Sequence, residues 1–168
     1  APDYPNGIDY REDGRVLVLR TFSKIHGLAG FRIGYGVGAK ALIGYLNRVR
    51  EPFNVNRLAQ GAALAALKDD EHLRRSQEMN QQGKDELYRV FDELGLAYLP
   101  SQANFILFST PFAARDVFEA LLRQGVIVRT ADIFGLPKHI RVTVGTHEQN
   151  QRFIRSLRKV LDGLKAER

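Results

Sequence analysis

Cysteine is absent from the 168 residues, which excludes a disulfide framework and any thiolate metal site. That fits a reducing compartment, so the expected location is the cytoplasm. The sequence has no run of about 18 apolar residues, and no membrane partner is expected. The opening Ala1-Pro2-Asp3-Tyr4-Pro5-Asn6-Gly7 lacks the basic-then-apolar order of a signal peptide and reads as a loop. It also lacks a starting Met, so the chain is expected to be cut from something longer. Repeats, low-complexity tracts and a Ser/Gly/Pro linker are missing too. His26, His72, His139 and His147 have no metal-ligand spacing and no carboxylate patterned beside them, so no metal is expected.

What remains is an ordinary globular composition, with 44% apolar residues, enough for one good core or two small ones. The net charge of +6 comes from 25 basic residues scattered among 19 acidic ones, which gives no reason to expect a nucleic-acid partner. The densest basic stretch, Arg152, Arg155, Arg158 and Lys159, reads as the solvated face of a helix. Its opposite face carries Phe153, Ile154, Leu157, Val160, Leu161 and Leu164.

Along the chain, the continuous run over 15–20 predicts a strand buried on both faces of an α/β sheet. A second strand is expected over 31–38, and helices over 39–50, from Asn56 as cap through 58–67, and over 71–94 despite Gly83. Gly95 is expected to end the long helix. Short strands then alternate with helices: a strand at 104–108, a helix announced by Thr110-Pro111 and ended by Gly125, and strands at 126–129 and 140–144. The last helix begins at Thr146, with Gln149 three residues on as a capping box.

Lys24 has informative neighbours. It directly follows an apolar strand, stands beside the hydroxyls of Thr21 and Ser23, and precedes a glycine-rich segment holding Arg32. Ligands bind α/β sheets at such strand ends. A lysine amine that can lose its proton attacks aldehydes, and pyridoxal phosphate supplies both an aldehyde and a phosphate. Hydroxyls and a planar guanidinium suit the phosphate oxygens. By contrast, Gly34-Tyr35-Gly36-Val37-Gly38 is not a full dinucleotide pattern, and Lys40 has no phosphate-loop context.

The blocks Val18-Leu19-Arg20-Thr21-Phe22-Ser23-Lys24 and Gly27-Leu28-Ala29-Gly30-Phe31-Arg32-Ile33-Gly34-Tyr35 resemble the signature of the histidinol-phosphate aminotransferase family. These are fold-type I pyridoxal-phosphate enzymes, and the resemblance continues through Asn54-Val55-Asn56, Ala103-Asn104-Phe105 and Arg141-Val142-Thr143-Val144-Gly145-Thr146. It implies the C-terminal part of such an enzyme, with 1–83 the end of the large cofactor-binding domain and 84–168 the small α+β domain. It implies Lys24 as the residue that bonds the cofactor and shuttles protons, with Thr21, Ser23 and Arg32 on the phosphate. Arg141 resembles the carboxylate-binding arginine, and Arg129 the arginine that meets the substrate phosphate. A homodimer acting on small amino acids and 2-oxo acids is implied, with histidinol phosphate and 2-oxoglutarate/glutamate the favoured pair.

Parts of the family pattern are missing: an Asp at the pyridine nitrogen, a Tyr at the ring hydroxyl, the glycine-rich phosphate turn, the residue that stacks on the ring and the N-terminal substrate-binding arm. Asp3-Tyr4 and Asp9-Tyr10 lie in turn-rich sequence too close to Lys24 and read as loop residues. The chain alone is therefore expected to be inactive and to bind the cofactor weakly or not at all. A threonine-phosphate decarboxylase-like lyase, another aminotransferase of the family, and a non-catalytic association module are the rival readings. His26, two residues after Lys24, is a further candidate for lining the cofactor pocket.

Overall fold

The computed structural model describes residues 5–166, so Asp3-Tyr4 lie outside the described residues. The chain divides into two compact units, Ala1–Gln77 and Glu78–Arg168. The division falls within one helix, a few residues upstream of residue 83.

In the first unit, β1 (Leu17–Thr21) pairs antiparallel with β2 (Gly34–Gly38), running from Leu17 opposite Gly38 to Thr21 opposite Gly34. The expectation of a strand buried on both faces is corrected here. Among the described residues β1 has β2 as its sheet neighbour, and Leu19 is 71% exposed because no layer covers it. β2 begins at Gly34 rather than residue 31 because Arg32 takes a left-handed conformation, φ 53°, which breaks extended backbone. Asp9 and Tyr10 close a 3-10 turn, Gly7–Tyr10, in which the Asn6 carboxamide accepts from the Ile8 N–H at 3.2 Å. Two helices follow, α1 (Lys40–Val49) and α2 (Arg57–Ala66). The Asn56 side chain accepts from the Ala59 N–H at 2.8 Å, the cap its residue type suggests.

The helix α3 (Asp70–Glu93) runs unbroken through Gly83. A Cβ at Gly83 would stand 2.4 Å from Val144 Cγ1 and 2.8 Å from Asn150 Nδ2, so the missing side chain is what lets the helix pack closely there. Gly95, at φ 65°, follows its end, and the Leu96 N–H returns to the Phe91 carbonyl at 2.8 Å.

The second unit is built on a four-stranded antiparallel sheet in the order β3-β4-β6-β5, formed by β3 (Tyr98–Leu99), β4 (Phe105–Ser109), β5 (Arg129–Ala131) and β6 (Leu136–Thr143). Alternation along β4 and β6 points Ile106, Phe108, Ile140 and Val142 into the core. That core is completed by α3, α4 (Ala114–Arg123) and α5 (His147–Ala166), with Leu87, Val117, Leu121 and Leu157 fully buried. Phe91 stacks on Phe108 at 4.5 Å, and Phe153 meets both rings edge-on.

Three expectations shift in this unit. The helix after Thr110-Pro111 begins only at Ala114, because the Thr110 hydroxyl donates to the Phe112 carbonyl at 2.8 Å and closes a preceding turn. The strand expected at 126–129 starts at Arg129, since the Val126 N–H is taken by the Leu121 carbonyl in closing α4. The last strand starts earlier, at Leu136, which pairs with Ala131 of β5 across a break in register after Thr130. The capping box forms: the Thr146 N–H donates to Gln149 Oε1 at 3.0 Å, and the Gln149 N–H to Thr146 Oγ1 at 3.3 Å.

Candidate active site

In the first unit, the segment after β1 is held by the side chain before Lys24. Phe22 is buried and packs against His26 and Tyr35, with ring centroids 5.0 and 6.0 Å away. Its N–H donates to the Ile33 carbonyl at 3.2 Å, and its carbonyl accepts from the Leu28 N–H at 3.0 Å. Anchoring Phe22 directs the next residues outward, and Lys24 is exposed. His26 is partly buried against Phe22, so its ring first serves to pack the segment.

The hydroxyls form a relay. Thr21 Oγ1 accepts from the Ser23 N–H at 3.0 Å and donates to Ser23 Oγ at 2.8 Å. With the Thr21 proton engaged, the Ser23 proton is free for an anion. Across the ladder, Thr21 faces Gly34, where a Cβ would lie 2.5 Å from the Arg20 carbonyl oxygen. Arg32 stands just beyond this end of the ladder, its guanidinium donating to the Ala29 carbonyl at 2.8 Å. A non-glycine residue with positive φ at a candidate phosphate site is the kind of local strain that accumulates where ligands bind. Two hydroxyls, one lysine and one arginine suit a phosphate and an electrophilic carbonyl.

In the second unit, Arg129 on β5 lies directly opposite Arg141 on β6. Facing residues share a side of the sheet, and here it is the open side, away from Ile140 and Val142. Like charges placed so repel each other unless an anion lies between them. The Arg141 guanidinium sits over the Phe105 ring, 4.9 Å from its centroid, an aromatic face that orients the cation without neutralising it. Sequence reading missed this contact, since Phe105 meets Arg141 only through the register of β4 on β6.

The turn after β5 is fixed by Asp132. It accepts from the Thr130 hydroxyl at 2.6 Å and from Arg115 at 3.0 Å. Those two donors, the hydroxyl first, hold its carboxyl down to about 2. Beyond β6, the Asn150 side chain accepts from the Gly145 N–H at 2.9 Å, and Glu86 accepts from Gln151 at 2.6 Å and lies 3.0 Å from His147 Nδ1. The segments that follow β5 and β6 are thus each held by side-chain bonds. Among the described residues no group of three or more His, Cys, Asp or Glu is placed to hold a metal ion, and no helix is long and apolar enough to cross a membrane.

The family model for aminotransferase class I and II matches residues 3–157. The chain belongs to that family. A histidinol-phosphate aminotransferase of Moorella thermoacetica is 57% identical over 163 residues, covering 96% of this chain and 42% of the relative. The crystal structure of histidinol-phosphate aminotransferase from Sinorhizobium meliloti in complex with pyridoxal-5'-phosphate superposes with a TM-score of 0.85 at 28% identity, over 94% of this chain and 44% of that one. L-threonine-O-3-phosphate decarboxylase from Porphyromonas gingivalis superposes at 0.76 with 25% identity, over 95% and 51%. The fold is therefore that of the fold-type I aminotransferases, of which this chain spans less than half the length of the curated relative above.

Proposed function

We propose that the chain is the C-terminal part of a pyridoxal-phosphate-dependent aminotransferase that moves an amino group between histidinol phosphate and 2-oxoglutarate/glutamate in histidine biosynthesis. The observation that carries this is the opposed pair Arg129 and Arg141, two guanidiniums on one open sheet face with no ion pair among the described residues. Such a pair suits substrates with strongly anionic ends, a phosphate on one and carboxylates on the other. Identity to a named histidinol-phosphate aminotransferase supports the same reading.

Pyridoxal phosphate, when bound, supplies an aldehyde that captures amines and a ring that draws electrons from the substrate. Lys24 would hold the cofactor through Nζ, and its free amine would take the proton from the substrate α-carbon. Ser23 would donate its hydroxyl to the cofactor phosphate, with Thr21 orienting Ser23 and Arg32 balancing the phosphate charge. Arg141, aimed by Phe105, holds the carboxylate, and Arg129 the substrate phosphate. The ring-side Asp and Tyr are supplied by residues outside this chain, and Asp9 and Tyr10 are engaged in a 3-10 turn. The enzyme works as a cytoplasmic homodimer in this reading, and the 168 residues alone are inactive.

The test is glutamate formation from histidinol phosphate and 2-oxoglutarate by the full-length enzyme. Lys24→Ala is expected to lower the rate by roughly a thousandfold or more, the scale of losing a catalytic nucleophile and base. Similarity to the threonine-phosphate decarboxylase supports a second reading. Carbon dioxide released from threonine phosphate in the same assay would replace the first reading by that one.

A further inference from the structure

Lys24 lies in a tight turn, which the Gly27 N–H closes by donating to the Lys24 carbonyl at 2.9 Å. That bond fixes the turn internally but leaves the next carbonyl, on Ile25, facing outward. His72 meets it. Nε2 of this histidine, in the first turn of α3 and 47 positions on in sequence, is 2.7 Å from the Ile25 oxygen. A carbonyl oxygen only accepts, so Nε2 carries the proton. The ring keeps that donor whether it is neutral or protonated.

His72 is itself held. Its N–H donates to Asp69 Oδ1 at 2.9 Å, the cap of α3, and Ser76 Oγ lies 3.4 Å from its Nε2 one turn on. A chain of bonds therefore runs from a helix start through one imidazole to the backbone beside Lys24. From this geometry we propose that His72 is a positioning residue, which docks the Lys24 turn onto the start of α3 and so sets where the lysine amine stands.

The inference rests on the reading of Lys24 as the cofactor lysine. His72 touches the backbone of Ile25 and no reacting atom, so its effect passes through placement. Placement matters at such a site, since displacing a reacting group by about 1 Å can lower rates by about a hundredfold. The contact is between a side chain and a main-chain atom, so what it asks of residue 72 is a donor at the length of Nε2.

The experiment uses the full-length enzyme with His72→Leu, which removes the donor, and His72→Gln, which keeps an N–H donor at similar reach. The readouts are cofactor affinity, from titration of the lysine–cofactor absorbance band, and hydrogen exchange of a peptide covering 22–28. His72→Leu is expected to weaken affinity about fivefold to tenfold and to speed exchange in that peptide, the scale of one lost hydrogen bond. His72→Gln is expected to stay within about twofold of the parent by the same measure. Unchanged affinity and exchange in His72→Leu would overturn the proposal, as would a Gln variant impaired as much as the Leu variant. Lys24→Ala separates the two readings. If the band survives it, the assignment of Lys24 fails, while the exchange comparison still decides whether His72 holds the turn.

Discussion

The two units differ in how far each covers its own apolar surface. In Glu78–Arg168, three helices and a sheet close around Phe91, Phe108, Leu121 and Leu157, all fully buried. In Ala1–Gln77, α1 buries no residue, and Tyr45, Val49, Phe53 and Leu58 are each more than half exposed. Among the described residues these apolar side chains lie open. The candidate site follows the same division. Arg129 and Arg141 stand on a sheet held by a complete core, whereas Thr21, Ser23 and Lys24 lie at the end of a two-stranded ladder anchored chiefly by Phe22. The first set is built within this chain, and under the proposed reading the second is completed by the rest of the enzyme.

The sharpest way to break this contrast is to truncate equivalent residues in each unit. Leu157→Ala is expected to destabilise the second unit by about 2–5 kcal/mol, the range for an emptied leucine site, whereas Val49→Ala stays within about 0.5 kcal/mol because the side chain already faces water. Chemical denaturation of both variants of this chain measures it, and equal losses would erase the distinction. A smaller effect tests packing from the opposite direction. Gly83→Ala forces a methyl group toward Val144 and Asn150 and is expected to cost about 1–3 kcal/mol, with Gly44→Ala, which meets no atom within 4 Å, as the neutral control.

The helix ends were the most legible part of the sequence because their signals are local. Asn56, Gly95, Gly125 and the Thr146–Gln149 box each act within a few residues of themselves, and each stands at the helix terminus its type announces. Burial was less legible. The apolar run ending at Thr21 looks the same whether or not neighbouring layers exist, so its exposure here was not readable from residue types. At the site, Lys24 and its hydroxyls stood out because they are adjacent in sequence. The stacking of Phe105 on Arg141 and the bond from His72 to Ile25 arise from strand register and from a contact across 47 positions, which local patterns do not encode.

The smallest expected effect concerns acid. The Asp132 carboxyl is held at about 2 against 3.8 for the free group, so its bonds to Thr130 and Arg115 favour the folded state above about pH 4. That contribution fades as pH falls from about 4 to about 2 and the carboxyl is protonated. Asp132→Asn is expected to flatten this part of the stability profile and leave the remainder unchanged, as read from thermal midpoints across the acid range. An undiminished acid slope in the variant would assign the sensitivity to other carboxylates.

The opposed arginines of β5 and β6 have a thermodynamic corollary. Because the repulsion between them is present only when the sheet is formed, any anion that settles between them binds the native state in preference to the unfolded chain. Under the proposed reading, ligand capture and fold stability are therefore coupled through one strand pair. On that reading, a sheet arranged in this way is more secure with an anion bound than without one.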